Sequence, residues 1–282
     1  MFMIRRPVAA GGFYPGSESR LRETLETFFS SLGGLPEPGT PSVVGGLAPH
    51  AGYEYSGQVA AHTYLEFRTH LPETFVVLGP NHTGIGSGVA IVTAGTWESP
   101  LGPMVIDEVL ARDIFALCDI MDDDVTAHSR EHSIEVQVPF IQYIGGGKFV
   151  PICLGMQDEE TAEEVGTAIA EAAHGKNVGI VASSDLTHFG SYYGFLPTRE
   201  DPLKWMKKTD GDVLKGIEEM SPEKVYEAAS VTTACGYGCI AAMIIACQNL
   251  GLKNARILEY RTSYDVSGDE SFVVGYGSAV IT

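Results

Sequence analysis

Short runs of β-branched and aliphatic residues, each bounded by Gly or Pro, punctuate the chain and mark its strands. They fall at 43–48, 75–78, 89–92, 149–154 and 178–182, and again at 256–260 and 272–280. Several are apolar without polar alternation, as strands covered on both faces require. Pro151 has no amide hydrogen to donate, so its run is expected at a sheet edge or strand end. Between the strands the period changes to that of a helix. Leu21, Leu25, Phe28 and Phe29 share one face of the stretch from Ser17 to Phe29. Further helices are expected from Ser56, as a cap, to about Phe67, over 158–173, and over 202–219 with Pro202 in the first turn. The stretch from Cys239 to Leu250 is apolar on nearly every side and predicts a buried helix. Strands alternating with helices predict an α/β fold, a layered α/β/α sandwich with helices on both faces of the sheet. Neither a low-complexity linker nor an internal repeat interrupts 1–282, and Gly145-Gly146-Gly147 reads as a turn. A single domain is therefore expected.

Charge and composition narrow the possible partners. A formal charge of −18, from 36 acidic and 18 basic side chains, repels phosphate backbones and anionic lipid headgroups. No run of Lys or Arg offers a local exception, so nucleic acid is not an expected partner. The most apolar stretch, Ile240 to Ala246, is too short to span a bilayer, and the first residues lack the apolar stretch of a signal peptide. Five cysteines are few and odd in number, which argues against a disulfide framework. A cytoplasmic location without a membrane partner is expected.

The candidate chemistry gathers after the apolar runs. His50 follows the first, His82 follows Leu78-Gly79-Pro80-Asn81, and Asp185 and His188 follow Val181-Ala182-Ser183-Ser184. Ligands of open α/β sheets bind beyond the carboxyl ends of parallel strands, so separate segments can deliver these side chains to one crevice. Any one of them alone reads more readily as a satisfied structural residue; three strand-end occurrences together reverse that weighting. Cys235 lies just before the buried helix, where unpaired N–H groups and the helix dipole favour a thiolate. Its alternative is a small buried hydrophobe, the reading given to Cys118, Cys153 and Cys247. The segment Glu131-His132-Ser133-Ile134-Glu135 reads as a polar helix start in which His132 or Glu135 could transfer protons, and His132 reads equally well as a cap of local structure. His62, His70, His128 and His174 lack evident polar companions and read as structural or solvated. Gly84-Ile85-Gly86-Ser87-Gly88 lacks the Lys-Ser/Thr of a phosphate loop and reads as a turn.

Several of these segments resemble the MEMO family: Arg5-Arg6-Pro7-Val8-Ala9-Ala10-Gly11-Gly12-Phe13-Tyr14-Pro15, Pro49-His50-Ala51-Gly52-Tyr53, Gly79-Pro80-Asn81-His82, Glu131 to Glu135, Ser183 to His188, and Cys235-Gly236-Tyr237-Gly238. The resemblance runs along nearly the whole chain. It implies the fold of the catalytic subunit of class III extradiol ring-cleaving dioxygenases, which use non-haem iron(II). By that comparison His50 and His82 fall at the two iron-binding histidines, and Cys235 falls where those enzymes place a carboxylate. His132, Asp185 and His188 would line the same pocket as acid–base or supporting residues. Iron(II) is the implied metal, although two imidazoles and a thiolate also suit copper or zinc.

Three functions follow as expectations. One is a metal-dependent redox enzyme of dioxygenase type acting on a small molecule. A second is a non-catalytic adaptor that receives a peptide at the pocket or its rim, as animal members of the family suggest. A third is Cys-dependent hydrolysis, with Cys235 as nucleophile, His188 as base and Asp185 orienting it. The resemblance further implies pathway partners of radical SAM and AMMECR type.

Overall fold

The computed structural model describes residues 3–198 and 200–282. Among them twelve strands join in one sheet: β1 (Ile4–Arg5), β2 (Val44–Ala48), β3 (Thr74–Pro80), β4 (Val89–Ile91), β5 (Thr96–Ser99), β6 (Gly102–Ile106), β7 (Asp122–Asp123), β8 (Lys148–Leu154), β9 (Val178–Ser183), β10 (His188–Gly190), β11 (Ala255–Thr262) and β12 (Phe272–Ile281). The strand order is β1-β5-β6-β8-β3-β9-β2-β12-β10, with β11 beside β12, β4 beside β8 and β7 beside β4. At the centre β8, β3, β9 and β2 run parallel. Every residue of β2, β3 and β9 is buried, which accounts for their unbroken apolar character.

Two neighbouring glycines on β2 show how closely helices cover both faces. A Cβ on Gly45 would lie 2.4 Å from Cys247 Sγ, on the helix Tyr237–Asn249. A Cβ on Gly46 would lie 2.6 Å from Thr63 Cγ2, on the helix Tyr53–His70. Successive strand residues point to opposite faces, so the two helices lie on opposite sides of the sheet. The helix Glu159–Ala172 packs beside Tyr237–Asn249, and Glu18–Ser31 and Val138–Tyr143 pack beside Tyr53–His70. Leu21, Leu25 and Phe29 are the buried stripe of the first helix. Burying such a side chain is worth roughly 1.5–3 kcal/mol, enough to dock a helix whose other faces are polar.

Two expectations are corrected in detail, and two helices are added. Pro151 is neither at a sheet edge nor at a strand end; it pairs with Val77 inside the sheet. On its other side β8 pairs with β6 at Lys148 and Phe149, and with β4 from Ile152 to Leu154. Pro151 therefore sits at the seam between two partners, where a missing donor breaks no ladder. Ser56 caps no helix: the helix begins a turn earlier, at Tyr53, and the Ser56 hydroxyl donates to Ala51 O (3.0 Å). The helices Glu108–Ala116 and Pro222–Ala229 escape the periodicity because nine and eight residues show little more than two turns. No helix of the described residues is long and apolar enough to cross a membrane.

Candidate metal centre

Adjacent parallel strands bring the candidate residues together. His50 lies two residues beyond β2, His82 two beyond β3, and Asp185 two beyond β9, and these strands are neighbours in the order β3-β9-β2. Their carboxyl ends open on one cavity of about 490 Å³, lined among others by His50, His82, His132, Asp185 and His188. The Nε2 or Nδ1 of His50 and of His82 and the Sγ of Cys235 offer donor atoms that all lie within 4.8 Å of one another.

Hydrogen bonds fix which nitrogen each imidazole presents. The Ser183 hydroxyl donates its single hydrogen to Ser133 O (2.7 Å) and accepts from Gln137 Nε2 (2.8 Å). His50 Nδ1, 3.0 Å from that hydroxyl, must then be the donor, which leaves a lone pair on Nε2. This Nε2 faces Cys235 Sγ at 3.2 Å. His82 Nδ1 lies 2.9 Å from Glu131 Oε1, and a carboxylate can only accept, so its Nε2 is likewise free. A metal-ligating histidine whose other N–H is bound to a carboxylate or hydroxyl is the usual arrangement around an ion. The donor set present thus fits a transition metal.

Glu131 is the residue that sequence reasoning missed. Its carboxylate accepts from the His82 amide (2.6 Å) and from the amides of His132 and Ser133 (2.9 Å each). Burial alone would raise its pKa; these bonds and the His82 imidazole outweigh burial and lower it to about 2. Glu131, His82 and His132 also form a cluster of metal-ligand residue types. Both Glu131 oxygens already serve N–H donors, so the cluster acts as support for His82. The available signal is its place beside His132, in a motif that by itself suggests proton transfer by His132 or Glu135, or a cap formed by His132.

Cys235 departs from expectation. It precedes the helix Tyr237–Asn249, but the nearby amides are taken: Gly236 N donates to Ser184 Oγ (2.9 Å) and Gly238 N to Gln157 Oε1 (3.0 Å). Burial and then the Asp185 charge push the thiol pKa up, so the helix start does not generate a thiolate. A bound cation would be needed to draw off that proton.

The remaining candidates divide by role. His188 Nδ1 faces two carbonyls, Leu186 O (3.0 Å) and Thr233 O (3.3 Å), which leaves Nε2 free to accept in a side chain that lines the cavity. His132 packs against Phe13 with ring centroids 4.3 Å apart and the ring planes tilted by 35°. Burial lowers its pKa to about 4, against an upward pull from Glu131. Asp185 accepts from the amides of His50 (2.8 Å) and Ala51 (3.3 Å), so it holds the His50 loop rather than orienting His188. The Asp185–His188–Cys235 relay expected for hydrolysis is not formed; the nitrogen facing the sulfur belongs to His50. Glu135, read as a possible proton carrier, is tied to Arg5 Nη1 (2.7 Å), Tyr14 OH (2.7 Å) and the Ala9 amide (2.8 Å). His62, His70, His128 and His174 stay outside the cavity lining, but three of them do have polar companions. His62 Nε2 lies 3.7 Å from Glu259, His70 Nδ1 2.8 Å from Ser42 Oγ, and His128 Nε2 3.2 Å from Ala90 O.

The family model for Memo-like proteins matches residues 5–280. The chain belongs to this family. It is 44% identical to a MEMO1 family protein of Methanopyrus kandleri and 43% identical to one of Pyrococcus furiosus, each time over 99% of both chains. A MEMO1 family protein of Nitrosopumilus maritimus is 40% identical over 98% of each chain. Among solved structures, the uncharacterized protein JW3007 from Escherichia coli K12 superposes with a TM-score of 0.56 at 12% identity, covering 85% of this chain and 99% of that one. At that identity the likeness shows the α/β fold alone.

Proposed function

We propose that this Memo-like protein is a metal-dependent redox enzyme of dioxygenase type, in which His50, His82 and Cys235 hold non-haem iron(II). The observation that carries the reading is the convergence of two imidazole Nε2 lone pairs and one sulfur, with both tautomers set by hydrogen bonds to buried side chains, Ser183 and Glu131. Iron(II) held by three protein ligands supplies one-electron chemistry and open positions for dioxygen and a substrate oxygen. The chain's own part is positioning and proton transfer. His188 accepts a substrate proton at Nε2, with its ring held by the Leu186 and Thr233 carbonyls. His132, neutral above about pH 4, stays without charge beside the donors and forms one wall with Phe13. Copper or zinc would also be accepted by this donor set.

Metal analysis of protein purified without oxygen tests the reading, with wild type beside His50→Ala, His82→Ala and Cys235→Ser. Near-stoichiometric iron that all three variants lose is the expected result. Metal retained at wild-type level in both histidine variants overturns the assignment, as does failure of wild type to take up iron on reconstitution.

A further inference from the structure

We infer that the mouth of the cavity takes a cationic ammonium group toward Asp269, on a ligand whose oxygen-donor head meets the metal donors. The inference rests on the proposed metal centre for the head and on independent features of the mouth for the tail. Tyr55, Tyr193, Phe272 and Tyr276 line the cavity together with two carboxylates, Asp185 and Asp269. Among the described residues lining it there is no Lys or Arg. Tyr193 stands edge-on to His188, ring centroids 5.1 Å apart, so the aromatic wall reaches from the candidate base outward. Aromatic faces attract cations, and an acid set among them is the chemistry that recognises an ammonium group.

The two acids differ in what is left to offer. Asp185 is buried, and its Oδ1 accepts from the His50 and Ala51 amides. Asp269 lies on the loop before β12, where Oδ1 accepts from Ser271 N (2.8 Å). Among the described residues Asp269 takes part in no ion pair. A net charge of −18 adds a field that draws cations to such a mouth and repels phosphates and carboxylates. A phosphorylated peptide would meet the wrong sign here.

A matched probe series separates tail charge from head chemistry. Dopamine, 4-ethylcatechol and 3-(3,4-dihydroxyphenyl)propionate share one head and carry a cationic, neutral or anionic tail. Calorimetric titration into zinc-loaded protein, which cannot turn the probes over, is expected to give affinities in that order, about fivefold apart per step. Asp269→Asn should erase the advantage of dopamine over 4-ethylcatechol, and Asp269→Lys should favour the propionate. Tightest binding by the propionate, an order unchanged in Asp269→Asn, or no binding of any probe overturns the inference. Repeating the series on metal-free protein keeps the two readings apart. A charge order that persists there while the metal analysis fails would leave the cationic preference standing and remove the metal centre.

Discussion

Two polar clusters meet in the segment 128–137, and they differ in what they leave unused. In one, the Arg5 guanidinium donates to Glu135, to His128 O and to Glu131 O, each at 2.7 Å, and sits 4.1 Å over the Trp97 ring. Glu135 is filled in turn by the amides of Val8 and Ala9 and by Tyr14 OH. In the other, the hydrogen bonds stop short: His82 and His188 each have one nitrogen satisfied and Nε2 to spare, and His50 Nε2 has only the Cys235 sulfur against it. The first cluster ties the N-terminal segment to the sheet end. The second holds rings rigid so that their free lone pairs can meet a ligand. Each cluster holds a buried glutamate bound by backbone amides, so the unspent lone pairs, rather than the presence of a buried acid, separate support from chemistry.

The contrast can be broken most strongly at Arg5. Arg5→Met leaves Glu135 buried and unpaired, which should cost about 3–5 kcal/mol in urea unfolding while the folded fraction keeps its metal stoichiometry. Loss of metal from fully folded Arg5→Met protein would show that the two clusters are one functional unit. Asp210 sharpens the comparison next. It accepts from the Thr187 amide (3.0 Å), Thr187 Oγ1 (2.6 Å) and Tyr260 OH (2.8 Å), yet among the described residues it pairs with no Lys or Arg. Burial raises its pKa to about 6 against the pull of these bonds. Between about pH 4 and 6 the unfolded chain loses this proton and the folded chain keeps it. Stability therefore falls as pH rises through that window, by about 3 kcal/mol from this group. Asp210→Asn should remove that part of the slope, read as the difference between unfolding curves of the two proteins at several pH values. Equal slopes would contradict it.

Glu131→Gln probes the support beneath the open cluster. The amide can accept from His82 Nδ1 or from the His82 amide, but not from both, so metal affinity should fall about 10- to 100-fold. The ¹⁵N shifts of the His82 ring should also move from the Nδ1–H pattern, a readout that general loosening of the fold would not produce. The smallest effect is expected from Tyr14→Phe. Glu135 then loses one of several donors, and unfolding should register about 1 kcal/mol.

The fold was largely legible because its signals are local. Each of the seven apolar runs became a strand, and the helix after Cys235 is buried on nearly all sides. Pro151 misled because a donor missing from a strand is harmless where the neighbouring strand changes, and the neighbour is not written beside it in sequence. Ser56 misled because a hydroxyl can donate to the preceding carbonyls as readily as it can cap. The gathering of His50, His82, Asp185 and His188 in one cavity followed from strand ends, since neighbouring parallel strands must present their carboxyl ends together.

What the chain determined by itself was the alternation of buried strands and helices, the acidic surface, and the residue types at the strand ends, all consequences of local period and composition. What only the tertiary structure decided was the use of each polar atom. It assigned Glu131 to His82, Ser183 to His50 and Glu135 to Arg5, across separations of 49, 133 and 130 residues. Hydrogen bonds are short and directional, so whether an imidazole is spent or free depends on atoms that meet only once the chain has closed.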